Sequence, residues 1–286
     1  MSALFDWRQQ TIVMGILNLT PDSFSGDGLL SQADYQEKAL EQAEQFVHDG
    51  ALILDIGGES TRPGAQSVSA EDELERVLPV VTELISKLPG TILSVDTYKA
   101  EVAEKVLQVG AQIINDVWGL RADPQMASVI ARYSAHVVIM HNRETRDNVE
   151  IQQNLGGHYT KTTYVDLIVE VSNELLEGVK IAESAGIPHD HIILDPGIGF
   201  AKTVEQNLFL LNHLDEIAKL GYPLLLGVSR KSFIGYTLDL PPAERLEGSL
   251  AANAIGILRG ANILRVHDVK QTIRLARMVD AVLKSG

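Results

Sequence analysis

Short apolar segments alternate with amphipathic segments along nearly the whole chain. Most apolar segments are rich in Ile, Val and Leu, without the polar alternation of half-exposed strands. Continuous apolar runs of this length are typical of parallel strands buried on both faces. The sequence therefore predicts strands over residues 11–17, 51–54, 91–95, 112–114, 135–140, 191–194, 223–228 and 263–266.

The amphipathic segments have the period of helices. Between residues 34 and 49, for example, Ala39, Leu40, Ala43 and Phe46 fall on one face of a helix. Ser69 is a suitable N-cap, and the acidic residues after it suit the first turn of a helix. The predicted helices cover residues 34–49, 69–88, 99–109, 124–133, 165–185, 204–220, 243–259 and 269–284.

Eight strand–helix units without a break in composition predict an α/β fold, a single (β/α)8 TIM barrel over residues 1–286. The alternative is an open, doubly wound sheet. Such a sheet usually has fewer strands, and no GxGxxG motif follows the first predicted strand. The pattern therefore favours the barrel.

Composition narrows the class of partner. The net charge of −14 argues against nucleic acid and anionic membranes as partners. The absence of cysteine excludes disulfides and thiolate metal sites and is consistent with a reducing compartment. No signal peptide is evident at the N-terminus, and no apolar run reaches the roughly 18 residues of a membrane helix. We expect a cytoplasmic protein.

Polar residues follow every predicted strand. Active sites of TIM barrels form where strands end, so these side chains are expected to surround one site. A purely structural role remains an alternative for some of these residues, and it is as consistent with the sequence as a functional role for Asp55, Asp116 and His141. The residues that follow the eight strands are Asn18, Asp55, Asp96 with Thr97, Asn115 with Asp116, His141 to Arg143, Asp195, Ser229 to Ser232, and His267 with Asp268.

The chemistry of these groups indicates two kinds of ligand. Asp96, Asn115 and Asp195 suit a flat heterocycle that carries N–H groups. An anion is the natural ligand for the cations Arg62, Lys231, Arg265 and His267. Oxygen ligands at the strand ends also permit Mg²⁺, held partly by the substrate. No nucleophile and base are recognisably paired, which favours catalysis by positioning and by stabilisation of a leaving group.

Seven motifs occur in order at the predicted strand ends. They resemble those of the dihydropteroate synthase family from about residue 12 to residue 269. The motifs are LNLTPDSFS (17–25), DIGGESTRPGA (55–65), SVDT (94–97), INDVWG (114–119), DPGIGFAKT (195–203), GVSRKSFIG (227–235) and RVHDV (265–269).

The resemblance implies a pterin-binding barrel that condenses 6-hydroxymethyl-7,8-dihydropterin diphosphate with 4-aminobenzoate in folate biosynthesis. The products would be 7,8-dihydropteroate and diphosphate. Early loss of diphosphate would leave a pterin cation, which the arylamine captures. The resemblance also implies Mg²⁺ as cofactor, sulfonamides as competing aminobenzoate mimics, and a homodimer, with residues 243–259 and 269–284 as candidate interface helices.

The resemblance assigns roles residue by residue. Lys231, Arg265 and His267 are the implied catalytic residues, and Asn18 is the implied contact to Mg²⁺ and diphosphate. The implied pterin diphosphate site contains Asp96, Asn115, Asp195, Lys231, Met140, Phe200, Thr61, Arg265 and His267. The implied aminobenzoate site contains Thr61, Arg62, Pro63, Ser232 and Phe24.

Within DIGGESTRPGA, residues 55–58 are interpreted as a strand end and hinge. Residues 61–63 are interpreted as the part of a loop that contacts the second substrate.

Two other functions remain as alternatives. One is a pterin-barrel methyltransferase acting from methyltetrahydrofolate to a corrinoid, and the other is a non-catalytic pterin-binding paralogue. Neither explains why TRPGA, SRKS and RVHD are all present. The purpose of residues 142–158 stays open.

Overall fold

The apolar segments form strands as the pattern predicts. The computed structural model describes residues 6–20, 35–60, 67–145, 149–152, 155–160 and 162–285. Its strands are β1 (Ile12–Asn18), β2 (Ile53–Gly57), β3 (Ile92–Asp96), β4 (Ile113–Asp116), β5 (His136–Met140), β6 (Val149–Gln152), β7 (Gly156–Tyr159), β8 (Ile192–Asp195), β9 (Leu225–Leu226) and β10 (Ile263–Val266).

Eight of these strands form one parallel sheet in the order β8-β5-β4-β3-β2-β1-β10-β9. A parallel bridge between Leu194 and Leu224 joins the two edge strands, so the sheet closes into a barrel. The predicted (β/α)8 barrel is thus confirmed. β6 and β7 stand apart from it as a two-stranded antiparallel hairpin.

Helices follow the barrel strands and pack around them. The helices are α1 (Tyr35–Asp49), α2 (Ala70–Lys87), α3 (Ala100–Val109), α4 (Met126–Arg132), α5 (Leu167–Ser184), α6 (Val204–Asn212), α7 (Leu214–Ala218), α8 (Ser232–Leu238), α9 (Leu246–Leu258) and α10 (Val269–Leu283). Short 3-10 turns precede β8 (His189–His191) and α9 (Pro242–Glu244). None of the described helices is both long and apolar enough to cross a bilayer.

Helix starts follow local capping chemistry. Ser69 Oγ accepts a hydrogen bond from Asp72 N at 3.0 Å and caps α2 as predicted. α6 begins with a capping box, in which Thr203 and Gln206 each bond the other's backbone N–H. These caps fix where the chain turns from a strand-end loop into a helix.

The apolar core has two parts. The larger part fills the layer between the barrel and the helices. The smaller lies inside the barrel and includes Met14, Ile53, Ile92, Ile113 and Ile193, with Trp7 packed against it. The barrel interior is thus filled, not hollow, at the end where its strands begin.

Three predicted elements were wrong in extent. The helix predicted over 204–220 is two helices, because His213 ends α6 with its Nδ1 2.8 Å from Phe209 O. That side-chain contact gives the backbone an alternative to continuing the helix. The strand predicted over 223–228 pairs only at Leu225–Leu226 and at the Leu224 bridge; Pro223, at its start, has no N–H to donate. The helix predicted over 243–259 begins at Leu246, after the 3-10 turn at Pro242–Glu244.

Candidate active site

Inward-facing positions change from apolar to polar along most of the barrel strands. Side chains in a strand alternate between faces, so Ile92, Ser94 and Asp96 share the inner face of β3. The same step occurs from Ile263 to Arg265 in β10. The polar inner-face residues near the carboxyl ends of the strands are Asn18, Asp55, Ser94, Asp96, Asn115, Asp195 and Arg265.

A cavity of about 170 Å³ opens at this end of the barrel. Seven residues predicted from the sequence line it. Asn115, Asp195 and Met140 do not line it; all three are buried in the barrel wall. The predicted lining residues are Asn18, Asp96, Phe200, Lys231, Ser232, Arg265 and His267.

Asp55 is the centre of a buried hydrogen-bond network across the barrel. Its Oδ1 accepts from Ser94 Oγ at 2.5 Å, and its Oδ2 accepts from Asn115 Nδ2 at 3.1 Å. Arg265 Nε also donates to Oδ2 at 2.5 Å. Asp55 therefore lies near the end of β2, as interpreted, and its inward-facing side chain holds Asn115 and Arg265 in place.

Asp96 presents an acceptor to the cavity. Arg265 Nη2 donates to its Oδ2 at 2.7 Å. Its other oxygen, Oδ1, is buried and has no hydrogen-bond partner in the described part of the chain. Burial raises the pKa of Asp96, and the positive charge of Arg265 opposes this shift. An unpaired buried acceptor is costly, so a ligand N–H group is the natural partner for Oδ1.

Asp195 is buried beside the cavity, and its charge interacts with that of Lys231, which lines the cavity. Asp195 Oδ1 accepts from Gly197 N at 2.7 Å, which fixes the carboxylate. Lys231 Nζ donates to Ile198 O and lies 4.5 Å from the centre of the Phe200 ring. Burial lowers the pKa of Lys231 to about 8, and the Asp195 charge opposes the shift. Burial raises the pKa of Asp195, and Lys231 counters it.

The rim of the cavity carries further cations. His267 Nδ1 lies 3.0 Å from Ser229 Oγ, a contact that orients the imidazole ring. Arg230 bonds both carboxylate oxygens of Asp268, at 2.9 and 2.6 Å. Arg265, one of the cations that the sequence predicted at this site, lies between two carboxylates.

Two residues left open by the sequence have structural roles. Asp116 follows Asn115 and therefore faces away from the barrel interior, where it accepts from the N–H groups of Trp118 and Leu120 at 2.8 and 2.9 Å. His141 does not line the cavity. Its Nδ1 lies 2.9 Å from Lys202 Nζ, and burial lowers its pKa to about 4.

The side chains at the cavity are suited to Mg²⁺ only if a bound ligand supplies further oxygen atoms to the ion. Within the described ranges, no group of three or more acidic or histidine side chains is arranged to hold a metal ion. Asn18 lines the cavity and offers a single amide oxygen. Mg²⁺ often takes most of its ligands from substrate phosphates and water, so one protein oxygen is compatible with such an ion.

Several predicted site residues lie outside the described residues: Phe24, Thr61, Arg62 and Pro63. Conversely, the structure adds cavity residues that the sequence did not indicate. Strict alternation along the strands would have placed Asp55 and Ser94 on the inner face, although neither lines the cavity itself. The added residues that lie within the quoted motifs are Thr20, Glu59, Ser60, Gly199 and Gly227. No pattern in the sequence pointed to Leu155, Gly156, Gly157, Tyr159, Pro242 and Arg245.

The family of this chain follows from its similarity to known proteins. The pterin binding enzyme family matches residues 14–267. The chain belongs to the pterin-binding enzyme family. A curated relative, the dihydropteroate synthase of Bacillus subtilis, is 51% identical over 280 residues, which cover 98% of this chain and 91% of the relative.

Solved structures of the family agree with the fold. The dihydropteroate synthase of Clostridium difficile, solved in the presence of pteroic acid, is 45% identical with a TM-score of 0.86, and the match covers 97% of this chain and 98% of that one. The Yersinia pestis enzyme, solved in a sulfonamide drug complex, is 38% identical with a TM-score of 0.89 over 99% and 97% of the two chains. The resemblance to dihydropteroate synthases inferred from the motifs is confirmed.

Proposed function

We propose that this chain condenses 6-hydroxymethyl-7,8-dihydropterin diphosphate with 4-aminobenzoate, giving 7,8-dihydropteroate and diphosphate in folate biosynthesis. The observation that carries the proposal is the buried Asp96 Oδ1, which needs a donor and faces a cavity rimmed by cations. The similarity of this chain to dihydropteroate synthases over nearly its whole length supports the same reaction.

The pterin ring occupies the floor of the barrel in this proposal. Its ring N–H and amino groups donate to Asp96 and Asp195, while Asn115 supplies an amide at the same level. Lys231 and Phe200, already in contact, bound the ring from the side, and Met140 contributes to the wall beneath. Asp55 positions this set by holding Asn115 and Arg265.

The diphosphate lies toward the rim, near Asn18, Arg265 and His267. Asp55 and Asp96 use Nε and Nη2 of Arg265, and no protein partner in the described ranges uses Nη1. The two carboxylates fix the plane of the guanidinium, so its remaining donors are pre-oriented toward an anion. Mg²⁺ bound beside Asn18 would neutralise further phosphate charge.

The reaction breaks one bond and forms another at the pterin methylene carbon. The C–O bond to the diphosphate breaks, and its electron pair leaves with the diphosphate. The lone pair of the arylamine nitrogen then forms the C–N bond, and that nitrogen loses one proton to water. Arg265 and His267 stabilise the departing anion, and no strong base is required.

Aminobenzoate occupies the outer part of the cavity, where Ser232 lies. By resemblance, Thr61, Arg62, Pro63 and Phe24 complete this part, and sulfonamides compete for it. The proposed division of roles places the first substrate against Asp96 and Asp195 and the second against Ser232.

Release of diphosphate tests the function directly. We expect turnover with pterin diphosphate, 4-aminobenzoate and Mg²⁺, formation of dihydropteroate in equal amount, and a large drop in rate when a chelator removes Mg²⁺. No turnover under any of these conditions would contradict the proposal. Retained pterin binding in that case would favour the non-catalytic alternative, and methyl transfer from methyltetrahydrofolate would favour the methyltransferase.

We also propose a homodimer. α9 and α10, two helices that pack on each other, leave large apolar side chains exposed. Large exposed apolar patches often mark protein–protein interfaces, and a second copy of the chain would cover these side chains. The exposed residues are Ile255, Leu258, Met278, Val282 and Leu283.

A further inference from the structure

Lys202 is a buried lysine behind the candidate active site. It is only 1% exposed and does not line the cavity. Its Nζ lies 2.9 Å from His141 Nδ1, 3.0 Å from Gly197 O and 3.1 Å from Phe200 O. Burial of an ammonium is costly unless its N–H groups are paired, and each of these three atoms is a possible acceptor.

The acceptors around Lys202 match an ammonium and not a neutral amine. An ammonium has three N–H donors, and His141 Nδ1 and the two carbonyl oxygens supply three acceptors. A neutral amine has one donor fewer, so its formation would leave one buried acceptor without a partner. The geometry therefore favours the charged form of Lys202.

The charges around Lys202 are mixed. Burial lowers the pKa of Lys202 to about 7. The negative charges of Asp195 and Glu174 oppose this shift, whereas the positive charges of Lys231 and Arg143 add to it. The ammonium is therefore lost as the pH rises above neutrality.

His141 is fixed as an acceptor by α5. Burial lowers the pKa of its ring to about 4, so the ring is neutral at pH 7 and carries one proton. Its Nε2 lies 3.3 Å from Glu174 Oε2. Burial raises the pKa of Glu174, but the neighbouring donors of His141 and Arg143 outweigh this effect and lower it to about 2. The anionic carboxylate places the ring proton on Nε2, which leaves Nδ1 to accept from Lys202.

A second route joins the same loop to α5. Arg143 Nε donates to Glu174 Oε1 at 2.6 Å, and its guanidinium lies 4.5 Å from the centre of the Tyr164 ring. Tyr164 Oη donates to Ala201 O at 3.2 Å. The loop after β8 is thus attached to α5 both through Lys202 and through this tyrosine.

The backbone that Lys202 holds is the backbone that shapes the active site. Gly197 N donates to Asp195 Oδ1 at 2.7 Å, while Gly197 O accepts from Lys202. A Cβ atom at Gly197 would lie 1.9 Å from His141 O, so the loop lies directly against the end of β5. Lys202 therefore fixes, from outside the cavity, the residue that orients the Asp195 carboxylate and the carbonyl of Phe200.

We propose that Lys202 is a positioning residue for the pterin substrate, which it serves through the Gly197–Phe200 loop while His141 holds its ammonium. This inference rests on the proposed function, in which Asp195 and Phe200 contact the pterin. Lys202 itself lies outside the cavity and acts only through the loop.

Lys202→Met tests the proposal by removing the ammonium and keeping a long, flexible side chain. Gly197 O and Phe200 O lose their donor, so we expect the affinity for pterin diphosphate to fall about tenfold or more in calorimetric titration. The KM for 4-aminobenzoate should change much less, because the loop contacts the first substrate. Lys219→Met is the control, since it makes the same substitution at an exposed lysine and should leave the affinity unchanged. An unchanged affinity in folded Lys202→Met would refute the proposal.

His141→Asn and His141→Leu form a matched pair for the case in which Lys202→Met fails to fold. The two new side chains are nearly equal in shape, and both are too short to keep the contact with Glu174. Asn keeps an oxygen acceptor near the position of Nδ1, whereas Leu does not. We expect His141→Leu to lower the affinity for pterin diphosphate about tenfold and His141→Asn to lower it less than about threefold. Equal losses would contradict the role of Nδ1 as the acceptor for Lys202.

The pH dependence of pterin affinity separates positioning from a simple loss of stability. As the pH rises through the pKa of Lys202, the ammonium is lost and the affinity should fall. His141→Leu removes an acceptor that favours the ammonium, so this fall should begin about one pH unit lower than in the wild-type chain. It should stay in place in His141→Asn, and titration of Lys231 is common to all these chains. A profile that does not move in His141→Leu would show that the pair only stabilises the fold.

The same titrations distinguish failure of this inference from failure of the proposed function. A wild-type chain that does not bind pterin diphosphate would overturn both. Binding without formation of dihydropteroate would overturn the proposed reaction alone, because the affinities of the variants still measure the effect of Lys202. Turnover with unaltered affinity in the Lys202 and His141 variants would overturn this inference alone.

Discussion

The face of a strand on which a carboxylate lies decides its role in this barrel. Asp55 lies inside and organises Asn115 and Arg265, whereas Asp116 lies outside and caps a turn. Both carboxylates are fully buried, and both lie near the ends of apolar strands. Sequence alone left the two equivalent, because the interpretation considered strand ends and ignored which face each position occupies.

Asp55→Asn and Asp116→Asn make a matched pair that tests this distinction. Asp55→Asn removes the charge that holds Arg265, so we expect the affinity for pterin diphosphate to fall about tenfold or more. Asp116→Asn should reduce the free energy of unfolding by about 1–2 kcal/mol through its weakened turn and leave that affinity unchanged. Calorimetric titration and urea unfolding measure the two quantities. Equal losses of affinity would refute the assignment.

His136 gives the fold a sensitivity to acid. Its ring stacks on His191 with centroids 4.1 Å apart, and burial lowers its pKa to about 4 from the usual 6.5. The unfolded chain therefore takes up a proton as pH falls below about 6.5, while the folded chain does not until about 4. The stability contributed by the neutral ring is lost across that interval.

His136→Phe keeps an aromatic stack without the titration. The difference in the free energy of unfolding between His136→Phe and the wild-type chain should change by about 1–3 kcal/mol in favour of the variant as the pH falls from 7 to 4. Urea unfolding at several pH values measures this difference. A difference that does not vary with pH would show that His136 does not titrate as its burial implies.

At the scale of elements, α6 organises the loop that follows Asp195 and carries Phe200. Asn207 is buried; its Oδ1 accepts from Gly199 N at 2.7 Å, and its Nδ2 donates to Lys202 O at 3.0 Å. Lys202 Nζ in turn donates to Gly197 O and Phe200 O. The backbone of this loop is therefore held by hydrogen bonds from one buried asparagine and one buried lysine.

Asn207→Ala should release this loop. We expect the KM for pterin diphosphate to rise about tenfold, since Gly199 N and Lys202 O lose their partner. Thr203→Ala is the control: it removes the cap of the same helix and should cost about 1 kcal/mol of stability with little effect on KM. Steady-state kinetics and thermal unfolding separate the two effects. A similar rise in KM for both variants would mean that helix stability alone matters.

Much of the architecture was predictable because it depends on local patterns. Apolar runs gave the eight barrel strands, and Ser69 gave the start of α2. α8 was not predicted, since it is only seven residues long and contains Gly235. The hairpin was not predicted either, because β7 consists of Gly156, Gly157, His158 and Tyr159 and is held by Arg245 and Tyr236 from distant sequence.

At the scale of the whole molecule, the predicted site residues could be placed together because a barrel brings all strand ends to one face. What the pattern did not show is how they pair. Arg265 meets Asp55 and Asp96, which lie 210 and 169 residues away along the chain. Such contacts depend on the register of the barrel, and no local pattern in a single sequence specifies it.

The proposed homodimer gives a last prediction at this scale. Leu258 is 60% exposed near the end of α9, and a charge there would be unfavourable in an apolar interface but harmless on a solvated surface. Leu258→Glu should convert the dimer to a monomer in sedimentation equilibrium. Phe209→Glu, on α6 with 48% exposure, is the control and should leave the mass unchanged.

The active site should survive this dissociation. None of the described residues that line the cavity lies on α9 or α10. We therefore expect the monomeric variant to bind pterin diphosphate with an affinity within about threefold of the wild-type value, as for other surface changes distant from a site. A dimer that persists with Leu258→Glu would exclude α9 as the interface. A monomer without pterin affinity would show that the second copy supports the barrel.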